Sequence, residues 1–251
     1  MIRVETRDRV ARIELARPEK KNALTAEMYA ELAASLERAA SDAGVRAILL
    51  RGSKDCFTAG NDLHDFLQRP PGAASPTWKF FEVLPAIEKP IVAAVNGPAV
   101  GIGTTMLLHC DFVYAAPGAR FQLPFVPLGV VPEFGSTFLL PALAGYQRAA
   151  ELLLLGQPFT AEKAMQAGIV TDVVPEESLL QKAEGVAAAL AALPRESLRL
   201  AKRMMKARHG KHVREAIGEE SAAFVERLAS PEAKEAMTAF LEKRKPDFSR
   251  F

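Results

Sequence analysis

One carboxylate in this chain has neighbours that suit acid–base chemistry. Glu133 lies in the segment Val130–Ser136, where it follows Pro132 and is surrounded mainly by apolar residues. A carboxylate that is removed from water in an apolar pocket has a raised pKa and can act as a general base near neutral pH. A Glu near a helix start is also typical of an exposed first turn, where the helix dipole favours negative charge. Taken alone, the segment favours this second interpretation.

Two turns that follow predicted strands contain the other candidate groups. In Cys56–Leu63 a Gly precedes Asn61 and Asp62, and Asn96–Thr105 is rich in Gly. Such turns expose backbone N–H groups, which can stabilise a developing oxyanion. The glycine spacing matches neither G-x-G-x-x-G nor G-x-x-x-x-G-K-[ST], so a nucleotide-phosphate loop is not predicted. A plain strand-to-helix connection is the favoured explanation of the first turn, and close helix–strand packing explains the second equally well.

Composition and residue spacing exclude several other chemistries. The 251 residues are 49% apolar and 25% charged, and the net charge of +2 gives no default attraction to nucleic acid or membranes. Cys56 and Cys110 form no CxxC pair, which favours a reducing, cytoplasmic setting. We expect no secretory signal, because the N-terminus is charged from its third residue and has no apolar h-region, and no membrane helix, because no apolar run reaches ~20 residues. The four histidines show no spacing typical of a metal site, and no G-x-S-x-G nucleophile turn is present.

The elements that must position these residues change in character along the chain. Short apolar runs in the first half predict strands, and a helix capped by Thr25 is predicted to extend to about Ala40. The predicted strands are Ile2–Thr6, Val10–Leu15, Val45–Arg51, Ile91–Val95 and Asp111–Ala115. Strands that are separated by helices indicate a layered α/β core. Pro70–Pro76 has the composition of a surface loop.

The last third of the chain is predicted to be helical, with one strand at Ile169–Val174. Its apolar stripes must be buried on the core or on another subunit. The predicted helices are Ala161–Gly168, Glu176–Leu193, Glu196–Arg208, Val213–Leu228 and Pro231–Lys243.

Five segments, taken in order, resemble the crotonase (enoyl-CoA hydratase/isomerase) superfamily over essentially the whole chain. They are Arg17–Leu24, Ala59–Leu63, Asn96–Gly103, Cys110–Asp111 and Ala167–Val170. The resemblance implies an α/β spiral of ββα units with the coenzyme A site in residues 1–195, and a helical trimerisation region at 196–251. It also implies a homotrimer or a dimer of trimers. The substrate would be an acyl-CoA thioester, so coenzyme A arrives as part of the substrate and no separate cofactor is expected.

The resemblance also implies roles for individual residues. The backbone N–H groups of Asn61 and Ile102 are expected to bind the thioester oxygen. Lys243, near the C-terminus, is expected to reach the coenzyme A phosphates. The remaining expected coenzyme A contacts are Lys21, Ala23, Leu24, Ala59, Asp62, Leu63 and Gly103.

Two departures from the superfamily pattern bear on the reaction. Hydratases of this superfamily carry one glutamate in the helix after the Gly-rich turn and another after the following strand, where this chain has Thr105 and Phe125. Without both carboxylates, hydration lacks an acid–base pair. The segment Pro132–Ser136 instead looks like the Pro-Glu-x-x-Ser segment of the peroxisomal-type Δ3,Δ2-enoyl-CoA isomerases, whose Glu is the single catalytic base.

The sequence therefore predicts an isomerase that converts 3-enoyl-CoA into 2-trans-enoyl-CoA. Glu133 would carry the proton, and a dienolate would be held by Asn61 and Ile102. One alternative is another crotonase reaction on an acyl-CoA, such as hydration or thioester hydrolysis, because superfamily members change their outcome through one or two pocket residues. A second alternative is a non-catalytic acyl-CoA-binding protein, for which Glu133 would be dispensable.

Overall fold

The computed structural model describes residues 1–67 and 75–251, and its largest element is a six-stranded sheet. The strands are β1 (Ile2–Arg7), β2 (Val10–Leu15), β3 (Ala47–Gly52), β4 (Ile91–Val95), β6 (Phe112–Ala115) and β9 (Asp172–Val173). Their order across the sheet is β1-β2-β3-β4-β6-β9. The first pair is antiparallel and all other neighbours are parallel.

Helices cover both faces of this sheet, which explains why its strands are nearly continuous apolar runs. The helices are α1 (Ala26–Ser41) and α3 (Pro76–Ala86) on one face and α8 (Glu176–Ala192) on the other. In β3, Ile48 and Leu50 belong to the large core that contains α1 and α3. The alternate residues Ala47 and Leu49 belong to a smaller core with α8. The predicted cap of α1 is confirmed, since the Thr25 hydroxyl accepts the Met28 N–H at 3.3 Å.

A second sheet of three short strands lies beside the two glycine-containing turns. It consists of β5 (Ala99–Val100), β7 (Arg120–Gln122) and β8 (Phe159–Thr160). Thr58 pairs with Ala99 in an isolated parallel bridge, and the Val100 N–H donates to the Thr58 carbonyl at 3.0 Å. This pairing places the chain after Thr58 next to the chain after Val100.

The remaining helices connect the sheets and then form the C-terminal region. They are α2 (Leu63–Leu67), α4 (Ile102–Thr105), α5 (Ser136–Ala144), α6 (Tyr146–Leu155), α7 (Ala161–Gln166), α9 (Arg195–Ala207), α10 (Gly210–Leu228) and α11 (Pro231–Leu241). Short 3-10 turns occur at Pro18–Lys20, Met106–His109 and Val126–Leu128. No helix in the described ranges is both long and apolar enough to span a membrane.

The C-terminal helices pack against their own chain. Val213 and Ile217 of α10 and Ala233 and Met237 of α11 are buried in the large core. Residues 196–251 therefore complete the core that residues 1–195 begin, and their expected role in oligomerisation stays a prediction.

One strand is much shorter than its apolar run suggested. The predicted strand Ile169–Val174 contains only Asp172–Val173 as strand. Gly168 has a left-handed backbone (φ +76°), which ends α7, and the Ile169 N–H donates to the Ala164 carbonyl of that helix at 2.9 Å. Ile169 is apolar because its side chain is buried in the core, and not because its backbone pairs in the sheet.

The predicted surface loop Pro70–Pro76 lies outside the described residues, apart from its last two positions. Ser75 caps α3 by accepting the Trp78 N–H, and Pro76 is the first residue of that helix.

Candidate active site

Glu133 is buried in the connection before α5. Its side chain is 5% exposed, and α5 begins only at Ser136, so Glu133 does not occupy an exposed helical turn. Phe134 (φ +62°) and Gly135 (φ +74°) are both left-handed. That conformation costs a bulky side chain about 1–3 kcal/mol, so the surrounding structure must hold Phe134 in place.

Phe134 is held by aromatic packing and by a hydrogen bond to its carbonyl. Its ring stacks on Phe81, with centroids 4.2 Å apart and an interplanar angle of 11°. His109 lies 4.1 Å from the same ring, and its Nε2 is 2.8 Å from the Phe134 carbonyl oxygen. Burial lowers the pKa of His109 to about 3, against the opposing effect of this hydrogen bond. The ring is therefore neutral near pH 7, and Nε2 carries the proton because a carbonyl can only accept.

The Glu133 connection is also held by α10, through Glu220. The Glu220 carboxylate accepts the Gly135 N–H at 2.5 Å and the Thr137 N–H at 2.8 Å. It also bonds the Thr137 hydroxyl at 2.5 Å. Glu133 and Glu220 are the two buried carboxylates in the described ranges. Glu220 was not among the predicted site residues, because nothing local in α10 indicates a partner at Gly135.

Glycines allow the two predicted turns to touch. A Cβ at Gly60 would lie 2.8 Å from the Val100 carbonyl oxygen, and Gly60 itself is left-handed (φ +91°). A Cβ at Gly103 would lie 2.6 Å from the Thr58 methyl group. A larger residue at either position would force the turns apart. Their contact brings Asn61 and Ile102 to the same edge of the small sheet.

The backbone N–H groups of Asn61 and Ile102, which were predicted to form an oxyanion hole, are not used by the secondary structure around them. Leu24 pairs with Asn61 through the bonds Leu24 N–H to Gly60 O (2.8 Å) and Asp62 N–H to Leu24 O (2.9 Å). This pattern directs the Asn61 N–H away from Leu24. Ile102 is the first residue of α4, so its N–H has no acceptor within the helix. In the part of the chain that the structure describes, neither N–H donates a backbone hydrogen bond.

Two sets of contacts join these donors to the Glu133 connection. The Asn61 side-chain oxygen accepts a hydrogen bond of 2.5 Å from the Tyr29 hydroxyl. The Tyr29 ring is 5.7 Å from Phe80, which is 5.4 Å from Phe134. On the other side, α4 continues directly into the 3-10 turn that ends at His109, which contacts Phe134. These contacts link the segments of both donors to Phe134, the residue that follows Glu133.

The segments predicted to contact coenzyme A lie together. The Ala59 N–H donates to the Lys21 carbonyl at 2.9 Å, and Leu24 pairs with Asn61. Lys21 is exposed, Leu24 is buried, and Ala23 and Leu63 are partly exposed. Lys243 is exposed beyond α11, and no hydrogen bond or ion pair of the described residues joins it to these segments.

The Asp62 carboxylate is already used within the fold. It receives a hydrogen bond of 2.6 Å from Arg17, and it accepts the N–H groups of His64 and Asp65 at the start of α2. Desolvation would raise the pKa of Asp62, but these hydrogen bonds outweigh it and hold the pKa below its ordinary value.

Asn22 fastens the Arg17–Leu24 segment to the first turn. Its amide donates to the Cys56 carbonyl at 2.7 Å, and its side-chain oxygen accepts from the Arg17 N–H (2.9 Å) and the Ser53 hydroxyl (2.8 Å). The left-handed backbone at Asn22 (φ +55°) is one that Asn tolerates well. Its residue type and its place in the segment were the only signals of this role in the sequence.

Thr105 and Phe125 are both buried. The hydroxyls of Thr105 and Ser136 have no hydrogen-bond partner among the described residues. The described ranges hold no cluster of three or more metal-ligating side chains.

Known proteins of similar sequence and structure carry both isomerase and hydratase names. Enoyl-CoA delta isomerase 2 of Homo sapiens is 34% identical over 96% of this chain, which spans 63% of that protein's length. The 2,3-dehydroadipyl-CoA hydratase of Escherichia coli is also 34% identical, over 98% of this chain and 97% of its own length. A crystal structure of an enoyl-CoA hydratase/isomerase from Pseudoalteromonas atlantica superposes with a TM-score of 0.95, at 42% identity and 99% coverage of both chains.

The family assignment follows from these similarities and from a match along nearly the whole sequence. Residues 5–250 match the profile of the enoyl-CoA hydratase/isomerase family. The mixed α/β fold with its C-terminal helices agrees with the solved structures of that family. The chain is therefore an acyl-CoA enzyme of the enoyl-CoA hydratase/isomerase family, within the crotonase superfamily.

Proposed function

We propose that the protein is a Δ3,Δ2-enoyl-CoA isomerase that uses Glu133 as its single catalytic base. The observation that carries the proposal is the burial of Glu133, which is one of two buried carboxylates in the described ranges. Glu220 already binds Gly135 and Thr137 through both of its oxygens. Glu133 is the other buried carboxylate, and it stands in the Pro132–Ser136 segment, which resembles the catalytic segment of the isomerases. Relatives named isomerase and hydratase are equally similar, so family membership does not select between these reactions.

The proposed reaction needs one base because the proton moves between nearby carbons. Glu133 removes a proton from C2 of the 3-enoyl thioester, and the C3–C4 double bond shifts as the dienolate forms. The same carboxyl group returns the proton to C4, which leaves the double bond between C2 and C3. Electrons and protons balance within the substrate, so this chemistry requires no redox partner.

The oxyanion hole is proposed to stabilise the dienolate. Negative charge collects on the thioester oxygen, where the N–H groups of Asn61 and Ile102 would donate. Removal of one donor from a comparable site costs about 3–4 kcal/mol of transition-state stabilisation. Because both donors are backbone groups fixed by neighbouring hydrogen bonds, little reorganisation is needed when the charge develops.

The residues at Thr105 and Phe125 support isomerisation over hydration. A threonine hydroxyl does not ionise near neutral pH, and a phenylalanine can neither donate nor accept a proton. Both side chains are buried, as are Phe80, Phe81 and Phe134. Apolar surroundings of this kind are expected to disfavour an attacking water. We infer that coenzyme A lies along Lys21–Leu24 and Ala59–Leu63, which the fold brings together.

Proton NMR of the products formed from 3-hexenoyl-CoA tests the proposal. Wild-type protein is expected to form 2-trans-hexenoyl-CoA without a 3-hydroxyacyl product. Glu133→Gln keeps the size of the side chain but removes the base, so turnover should fall by at least 10²-fold. Glu219→Gln is the matched control, because Glu219 is an exposed residue of α10 and should not affect turnover.

Other products would select the alternatives. Release of 3-hydroxyhexanoyl-CoA would identify a hydratase, and release of free coenzyme A would identify a thioester hydrolase. Binding of the acyl-CoA without any product would indicate a non-catalytic protein. A Glu133→Gln variant with full isomerase activity would show that Glu133 is not the base.

A further inference from the structure

The buried carboxylate of Glu220 binds N–H groups at the start of α5. In most helices a residue next to the helix start binds these groups. α5 begins after Gly135, which has no side chain to cap the helix. The first N–H groups of a helix lack intrahelical acceptors, and a Ser, Thr, Asp or Asn just before the helix usually supplies one. Here the acceptor comes from α10, 85 residues along the chain from Gly135.

Burial of a carboxylate is unfavourable unless its hydrogen bonds compensate for the loss of its contacts with water. Glu220 is 5% exposed, and its oxygens bind two backbone N–H groups and one hydroxyl. Desolvation raises the pKa of Glu220, while the bonds to Thr137 and Gly135 oppose that rise. A local N-cap would close the helix with less desolvation. Gly135 stands at this position instead. The left-handed backbone of Gly135 sets the direction in which the chain runs from Glu133 into α5.

The position of Glu133 depends on this backbone. Glu133 precedes Gly135 by two residues, and its carbonyl accepts the Ser136 N–H at 3.3 Å. The Phe134 carbonyl is held by His109, and the Gly135 N–H is held by Glu220. The two consecutive left-handed residues, Phe134 and Gly135, are thereby fixed by hydrogen bonds to side chains that are distant in sequence.

We propose that Glu220 is a positioning residue, which fixes the Glu133 carboxylate by anchoring Gly135 and Thr137 to α10. The proposal rests on the role of Glu133 as the base. Proton transfer is sensitive to geometry, and a displacement of ~1 Å can cost about 10²-fold in rate. Within residues 1–67 and 75–251, no hydrogen bond or ion pair joins Glu220 to the segments inferred to bind coenzyme A. Its loss should therefore lower kcat and leave KM nearly unchanged.

Three variants separate positioning from general stability. Glu220→Ala removes all three hydrogen bonds, and we expect kcat to fall 10- to 100-fold with KM within about threefold of wild type. Glu220→Gln retains one carbonyl oxygen as an acceptor and should restore part of kcat. Thr137→Val removes only the hydroxyl contact and should have the smallest effect. Glu219→Ala, which changes the exposed neighbour on α10, is the matched control.

Hydrogen–deuterium exchange of the peptide that contains residues 133–139 gives a readout that does not depend on activity. Faster exchange in Glu220→Ala than in wild type and Glu219→Ala is expected, at a temperature where all three are folded. If Glu220→Ala does not fold, the same comparison with Glu220→Gln decides. Unchanged exchange, or a rise in KM with kcat preserved, would overturn the proposal. Faster exchange in a protein whose wild type does not isomerise 3-hexenoyl-CoA would show that Glu220 anchors the connection and that the proposed reaction is wrong.

Discussion

His109 shows how one buried side chain can make stability depend on pH. Its ring is packed against Phe134, and its pKa is lowered to about 3 in the folded protein, chiefly by burial. In the unfolded chain a histidine titrates near 6.5. As pH falls below about 6.5, the unfolded state therefore binds a proton that the folded state does not bind. Stability is lost in this window, which extends down to about pH 3.

We predict that His109 alone lowers the free energy of unfolding by about 2 kcal/mol between pH 7 and pH 5. His109→Gln can keep a donor to the Phe134 carbonyl but does not titrate, so its unfolding free energy should fall less over the same interval. Urea denaturation at both pH values measures the difference. His212→Gln, at an exposed position, is the control. Equal pH dependence in wild type and His109→Gln would contradict the prediction.

Candidate site residues could be named from the sequence, but their surroundings could not. Glu133, Asn61 and Ile102 stand in segments with recognisable residue patterns. The residues that follow Glu133 are held by contacts from Phe81, His109 and Glu220, which are distant in sequence. No local pattern encodes such contacts, so the segment taken alone favoured an exposed helical turn.

An ion pair joins α9 to the main sheet. Lys202 of α9 is almost fully buried, and its ammonium group lies 2.6 Å from Asp111 and 2.6 Å from the Lys89 carbonyl oxygen. The same Asp111 oxygen accepts the Ile91 N–H at the start of β4, at 2.7 Å. Asp111 therefore links α9 to the start of β4, which gives a structural role to the acidic residue of the Cys110–Asp111 segment.

We predict that Asp111→Ala destabilises the protein by about 3 kcal/mol, because Lys202 would keep a buried charge without its carboxylate. The midpoint and slope of chemical denaturation measure this change. Glu215→Ala removes the exposed pair with Lys211 and should cost no more than about 0.5 kcal/mol. Equal losses of unfolding free energy in the two variants would show that the buried ion pair stabilises the protein no more than the exposed pair does.

Long helices were predicted more accurately than short strands. The helices α8, α9 and α11 begin within one residue of their predicted starts, since several turns of apolar periodicity define them. The strands β5, β7 and β8 contain two or three residues each, which is too short for any period to show. The small sheet, which positions both N–H donors, was therefore absent from the prediction.

At the scale of the whole molecule, several large apolar side chains remain exposed in the single chain. They include Tyr146 and Leu155 of α6, Met204 and Met205 of α9, and Phe240 of α11, each more than half exposed. Apolar surface of this kind commonly marks a contact with another protein. The packing of α10 and α11 onto their own core uses other residues, so it leaves these side chains available.

We predict a homotrimer, or a dimer of trimers, of 27.2 kDa chains in solution. Sedimentation velocity over a range of micromolar concentrations measures the mass of the assembly. A stable monomer throughout that range would contradict the prediction.

The bond between Gly135 and Glu220 has a consequence for the order in which the protein is made. A ribosome that adds 5–20 residues per second takes roughly 4–17 s to travel the 85 residues between them. During that time the emerging chain contains Glu133, Asn61 and Ile102, but the carboxylate that anchors Gly135 does not yet exist. The core surface that Val213 and Ile217 later cover is also open to water. With the proposed role of Glu220, catalytic competence is acquired only after α10 is made, and a product that terminates before α10 is expected to be inactive and a target for chaperones.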